Sequence, residues 1–149
     1  MSETRAVAMD AAEIAEFLDG QGTGVLSLAR SDDAYGIPVS FAYDPDGSNV
    51  YFRLGYTAES QKREFVDASE TVSFTVFAET SAGWKSVVAH GRLEEVAANS
   101  LDSHVAEAVQ RLDIPFVTIF DRPATELEFR LTRLSLDKLS GRKEVAEAP

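Results

Sequence analysis

Residues 23–55 read TGVLSLARSDDAYGIPVSFAYDPDGSNVYFRLG. Thr23–Arg30, Tyr35–Tyr43 and Asn49–Gly55 are three runs of β-type composition, separated by turn chemistry. Ser31-Asp32-Asp33-Ala34 makes the first turn. Asp44-Pro45-Asp46-Gly47-Ser48 makes the second, where Pro presets φ and Gly accepts positive φ. Three strands joined by short turns predict an antiparallel meander. Pro38 cannot donate a ladder hydrogen bond, so the middle strand is expected to be irregular or at an edge there.

On the N-terminal side, Asp10–Leu18 predicts a short helix. Asp10 serves as cap, Glu13 sits three residues on, and Ile14, Phe17 and Leu18 share a face. Towards the C-terminus, Ala58–Asp67 predicts a second short helix. Thr71–Glu79 alternates as a strand, with Val72, Phe74 and Val76 on one side. Trp84–Val96 is long for a strand, and Gly91 in its middle points to a bulge or a close backbone approach. Ala98–Leu112 has helical period, Ile114–Phe120 is ambiguous, and Glu126–Leu136 reads as the last strand, with fraying from Lys143. Six strands at this spacing predict a closed or nearly closed antiparallel barrel, mainly β with a few helices. No repeat or linker splits the chain, so 1–149 reads as one domain.

Composition narrows the chemistry. Cysteine is absent, which excludes a disulfide framework and a thiol nucleophile. The two histidines, His90 and His104, have no carboxylates in ligand spacing, so no metal site is expected. No serine is marked as an activated nucleophile, and Gly20-Gln21-Gly22-Thr23-Gly24 precedes a strand rather than opening a helix, unlike a dinucleotide fingerprint. Asp and Glu number 25 against 14 Lys and Arg, a net charge of −11. Such a chain repels nucleic acid and anionic membranes. The same excess is also a mark of halophilic proteins, whose self-repulsion is screened in concentrated salt. With neither a signal peptide nor an apolar span in view, the cytoplasm is the expected location.

Two segments carry candidate binding groups. In 50–63 the strand alternation puts Val50, Phe52 and Leu54 on one face and Tyr51 and Arg53 on the other. The following helix opens with Ser60, Lys62 and Arg63. Three cations and a hydroxyl at a strand end and helix start suit a phosphate. The same spacing also reads as a solvated helix face with a Glu59–Arg63 pair. In 84–92, Trp84, Ser86, Val88, His90 and Arg92 share a strand face, which reads either as the lining of a ligand slot or as the wet side of a barrel strand.

In order, Gly24-Val25-Leu26-Ser27-Leu28, Gly36-Ile37-Pro38-Val39-Ser40-Phe41, Val50-Tyr51-Phe52-Arg53, Ser60-Gln61-Lys62, Trp84-Lys85-Ser86-Val87-Val88 and Gly91-Arg92-Leu93-Glu94-Glu95-Val96 resemble the pyridoxamine 5′-phosphate oxidase-like superfamily. The nearest branch looks like the small flavoproteins related to nitroimidazole-resistance proteins. The likeness covers about residues 20–97, and more weakly the last strand through Ser140-Gly141-Arg142. It implies a six-stranded split β-barrel of Greek-key type, a homodimer, and FMN at the subunit interface. By the same resemblance, Pro38, Val39 and Ser40 lie along the flavin ring. Arg53, Ser60 and Lys62 hold the phosphate with help from Arg63, Ser86 contacts the flavin, and Trp84 lies near the ring or the dimer seam. The last strand, Glu128-Phe129-Arg130-Leu131-Thr132-Arg133-Leu134, lacks the Arg-x-His element of the true pyridoxamine oxidases. Nitroimidazole-resistance relatives often carry His where this chain has Arg53. Both departures argue against those specific activities. An FMN-dependent oxidoreductase is the first expectation. A non-catalytic flavin binder, or a barrel holding a deazaflavin or haem, are the alternatives. Tyr56, Ser86 and His90 are candidate acid–base groups.

Overall fold

In the computed structural model, residues 4–56, 61–96 and 128–146 are described, without the side chains of 55–56, 61–63 and 128–130. The elements run β1 (Thr4–Ala8), α1 (Ala11–Asp19), β2 (Thr23–Arg30), β3 (Asp33–Asp44), β4 (Asn49–Tyr56), α2 (Gln61–Ala68), β5 (Val72–Thr80), β6 (Gly83–Glu95) and β7 (Glu128–Ala146). The expected meander is β2–β3–β4. Every pairing is antiparallel, in the order β1-β7-β4-β3-β2-β5-β6, and a further β6–β7 ladder closes the ring. Six strands therefore form the barrel, and β1 is added as a seventh along the far half of β7.

The core follows from alternation. Leu26 and Leu28 of β2, Ile37, Val39 and Phe41 of β3, Val50, Phe52 and Leu54 of β4, Val72, Phe74 and Val76 of β5, Val87 and Ala89 of β6 and Leu134 of β7 are all buried in one cluster. The Phe74 ring is edge-on to both Phe41 and Phe52, each at 5.0 Å between centroids, the geometry that ring quadrupoles favour.

Helices cover the two ends. At the end where β2 begins, α1 buries Ile14, Phe17 and Leu18. Asp10 and Glu13 form a reciprocal capping box at its start: the Glu13 N–H donates to the Asp10 carboxylate at 2.8 Å, and the Asp10 N–H donates back to Glu13. At the end where β2 finishes, α2 inserts Phe65, which stacks on Tyr35 at 5.2 Å and lies 4.9 Å under the Arg30 guanidinium. Arg30 also pairs with Glu64 at 2.7 Å, and the Ser69 hydroxyl both donates to and accepts from the backbone of Ala29.

One sequence expectation changes and another is met. The last strand does not end at Leu136 or fray from Lys143: it runs to Ala146, because β1 gives its terminal residues a ladder partner from Arg142↔Ala8 to Ala146↔Thr4. At Gly91 the expected irregularity is present as a register shift against β7, with a close approach as its cause. A Cβ there would lie 2.0 Å from the Ser135 carbonyl oxygen. The expected helix at 98–112 and the ambiguous 114–120 lie outside the described residues, as does His104.

Candidate functional site

The barrel is open between β3 and β4. These strands pair only from Phe41↔Phe52 to Asp44↔Asn49. The earlier part of β3, Asp33–Ser40, pairs with β2 alone, and β4 beyond Phe52 pairs with β7 alone. The split therefore begins at Ser40 and Arg53, the residues flanking the last shared pair. Pro38 sits on the freed stretch of β3, where a missing N–H costs no ladder bond.

Four of the expected site residues are brought together at this opening. Pro38 is exposed, Ser40 is buried at 6% exposure, and Arg53 is half-buried. All three have the parity opposite to the core residues Ile37, Val39, Phe41, Phe52 and Leu54, and so belong to the outer face. Val39 differs. Its side chain is in the core, leaving only main-chain groups to meet a ligand at the split. Lys62 and Arg63 fall in the first turn of α2, whose backbone begins at Gln61, shortly after β4 ends at Tyr56. Ser60 lies outside the described residues. Trp84 and Ser86 are not brought to this group within one chain. They stand on the outer face of β6, and β2 and β5 separate β6 from β3.

Beside Arg53, the outer face carries a network that sequence reading did not assemble. Tyr51, only 1% exposed, registers against Arg133, which registers in turn against Glu94. Arg133 donates to Glu94 at 2.9 Å. Its guanidinium is held above the ordinary arginine range, first by that hydrogen bond and further by the hydroxyl of Tyr51. Alternation placed Tyr51 with Arg53, but Glu94 and Arg133 are 39 residues apart and meet only through barrel closure. Tyr51 also packs with Ala42, Val96 and Leu131, so this wall of the opening is fixed.

A cleft of about 290 Å³ elsewhere is lined by Val66, Asp67, Ser69, Leu93, Glu94, Glu95 and Thr132. Three carboxylates at its walls oppose a phosphate, so the cleft does not compete with the Arg53 opening for an anionic ligand. Among the described residues no group of three or more His, Asp or Glu could hold a metal ion, and no helix is long and apolar enough to cross a membrane.

The family model described as pyridoxamine 5′-phosphate oxidase matches residues 10–143. The chain belongs to this family. No curated protein matches it. Among solved structures, this family member is similar to a FAD-binding protein from Mesorhizobium loti, with 25% identity, a TM-score of 0.70, and coverage of 94% of this chain and 97% of that one. It is also similar to a Bacteroides thetaiotaomicron protein provisionally named a 5-nitroimidazole antibiotic resistance protein, at 14% identity, TM-score 0.63, and coverage of 99% and 95%. A FAD and haem binding protein from Mycobacterium smegmatis aligns at 13% identity, TM-score 0.65, and coverage of 97% and 76%. The last two likenesses are of fold alone. The residues at the split fit a flat ligand with a phosphate: an open strand stretch at Pro38–Ser40, and the Arg53 guanidinium on the facing strand at its edge.

Proposed function

We propose that this protein binds FMN at the split between β3 and β4 and uses it as a flavin-dependent oxidoreductase. The observation that carries the reading is the parting of the β3–β4 ladder at Ser40 and Arg53, in a chain of this family. Arg53 forks onto the phosphate, with Lys62 and Arg63 of the first turn of α2 adding charge and free N–H groups. Pro38, the Val39 main chain and Ser40 support the ring. When bound, the flavin supplies the hydride and electron chemistry. The chain's own part is to orient the ring, hold its phosphate and keep water from one face. His90 is exposed on the outer face of β6 with Ser86 and is the candidate proton carrier from that strand.

A homodimer belongs to the same reading. Within one chain Trp84 and Ser86 are separated from the split, so their roles beside the flavin require a second copy. The large hydrophobics exposed among the described residues, Val25, Phe77 and Trp84, lie on the adjoining outer faces of β2, β5 and β6, as an interface would have them.

The test is a titration of the flavin-free protein with FMN, followed by visible absorbance and retention on desalting. Arg53→Ala is expected to weaken FMN by about thirtyfold, the worth of one charge-assisted phosphate contact of about 2 kcal/mol. Riboflavin, without phosphate, is expected to be indifferent to the substitution. Equal losses for both ligands would remove Arg53 from the phosphate. Absence of FMN binding by a folded dimer would remove the cofactor assignment. Reduction of the bound flavin by a nicotinamide donor, followed by turnover on an added acceptor, separates the oxidoreductase from a storage protein.

A further inference from the structure

The turn between β3 and β4 has a chemistry of its own. Asp-Gly occurs twice in the chain, at Asp19-Gly20 and Asp46-Gly47. In such a pair the glycine main-chain nitrogen can attack the side-chain carbonyl carbon of the aspartate, and the missing Cβ leaves that approach open. Whether it does depends on how the fold holds the two residues.

The two pairs are held differently. Asp19 closes α1, and the Gly20 N–H donates to the carbonyls of Glu16 and Phe17 at 3.3 and 3.2 Å. That nitrogen is tied into the helix end and is not free to turn towards a side chain. Asp46 and Gly47 stand instead in the middle of the exposed turn Pro45–Ser48. Among the described residues, no turn hydrogen bond holds the Gly47 N–H, and the Asp46 carboxylate has neither a hydrogen bond nor an ion pair. The turn needs glycine at 47: a Cβ there would lie 2.6 Å from an Asp44 carboxylate oxygen and 2.9 Å from the Asn49 side-chain nitrogen. Ser48 follows at a φ of 54°, in the left-handed region that a residue with a Cβ enters at a cost. An untied nitrogen, an unpaired carboxylate and a strained neighbour are thus adjacent.

We propose that Asp46-Gly47 is a self-modification site, at which the chain converts to isoaspartate and becomes a substrate for a carboxyl methyltransferase. In the first step the Gly47 nitrogen bonds to Asp46 Cγ and a Cγ–O bond breaks. The oxygen leaves as water with the amide proton and the carboxyl proton, and a five-membered succinimide remains. Water then adds to either ring carbonyl. Opening at Cγ restores aspartate. Opening at the main-chain carbonyl leaves the chain running through Cβ and Cγ, with one extra backbone carbon and a free α-carboxylate. No electrons are exchanged. The new α-carboxylate takes a methyl group from a sulfonium donor as an ester, and the donor departs as a thioether.

The extra carbon falls where it matters to the fold. β3 and β4 share only the pairs from Phe41↔Phe52 to Asp44↔Asn49, and this turn sets their register. The assignment rests on the turn alone, so it stands or falls separately from the flavin reading.

Folded protein is aged in neutral buffer at body temperature and digested with trypsin. The fragments are then incubated with an isoaspartate-directed carboxyl methyltransferase and a radiolabelled sulfonium donor. The two Asp-Gly pairs fall in different fragments, 6–30 and 31–53. Label is expected to rise with ageing time in 31–53 and not in 6–30. It is expected to be lost in Asp46→Glu, whose longer side chain closes the ring poorly. Asp46→Asn, which expels ammonia rather than water, is expected to label several times faster than the parent. Both variants change an exposed side chain, and their circular dichroism is expected to match the parent. No label above that of unaged protein, label confined to 6–30, or equal label in the parent and Asp46→Glu overturns the proposal.

Discussion

Two residues at the split are set by opposite constraints. Arg53 is there for what its side chain can reach, and Pro38 for what its backbone lacks. Both were legible in the sequence, since strand parity puts Arg53 opposite the core and a proline argues for a free edge. Where the edge opens was not legible, because it depends on β4 leaving β3 after four shared pairs and following β7 instead. Gly91 shows the converse case. Its position in the middle of β6 signalled a close approach, and the structure supplies the partner, the Ser135 carbonyl of β7. Backbone oxygen cannot move aside as a side chain can. Gly91→Ala is therefore expected to lower stability by about 3 kcal/mol, measured by urea unfolding. Gly36→Ala, where the nearest atom to a new Cβ is a side-chain carbon at 3.7 Å, is the control and is expected to cost much less.

At the level of elements, α1 is held to the barrel end by charge as well as by Ile14, Phe17 and Leu18. Glu13 is both the reciprocal capping residue and the partner of Lys143 on β7. The Lys143 ammonium, then the Asp10 N–H, hold its carboxyl below the ordinary value of 4.5. A depressed carboxylate pKa stabilises the fold above the unfolded value and loses that contribution as pH falls through the folded one. Glu13→Gln is thus expected to be less stable than the parent at pH 7 and to converge with it as pH falls through the lowered folded value, as read from urea midpoints. Asp10→Ala removes the cap itself and is expected to cost about 1 kcal/mol at neutral pH. The helix was visible in the sequence from this same box, because capping is local. β1 was not. Its five residues, Thr4-Arg5-Ala6-Val7-Ala8, are mostly exposed and carry no alternating apolar signal. They form a strand only because the end of β7 offers an unpaired edge. The end of β7 misled for the same reason: Lys143-Glu144 looks like a polar tail until β1 is beside it.

At the scale of the whole molecule, the net charge of −11 acts on every equilibrium at once, but not with one sign. Repulsion among like charges opposes the compact state and opposes bringing two copies together. Salt shortens its range, from a Debye length of about 10 Å at 0.1 M to about 3 Å at 1 M. Thermal stability and dimerisation are therefore both expected to rise between 0.05 M and 1 M KCl, with most of the gain complete by about 0.5 M. Attraction of an anion to Arg53 at the split is screened by the same ions and is expected to weaken over the same range. Parallel melting, sedimentation and ligand titrations in KCl distinguish these terms. A stability that is flat with salt would mean the acidic residues are spaced widely enough on the barrel not to interact, leaving the composition without a role in folding. A stability that keeps climbing beyond 1 M would point instead to general exclusion of salt from apolar surface, which a change from chloride to sulfate would amplify. Only saturation with screening, together with falling anion affinity, ties the acidic surface and the basic group at the split to one electrostatic cause.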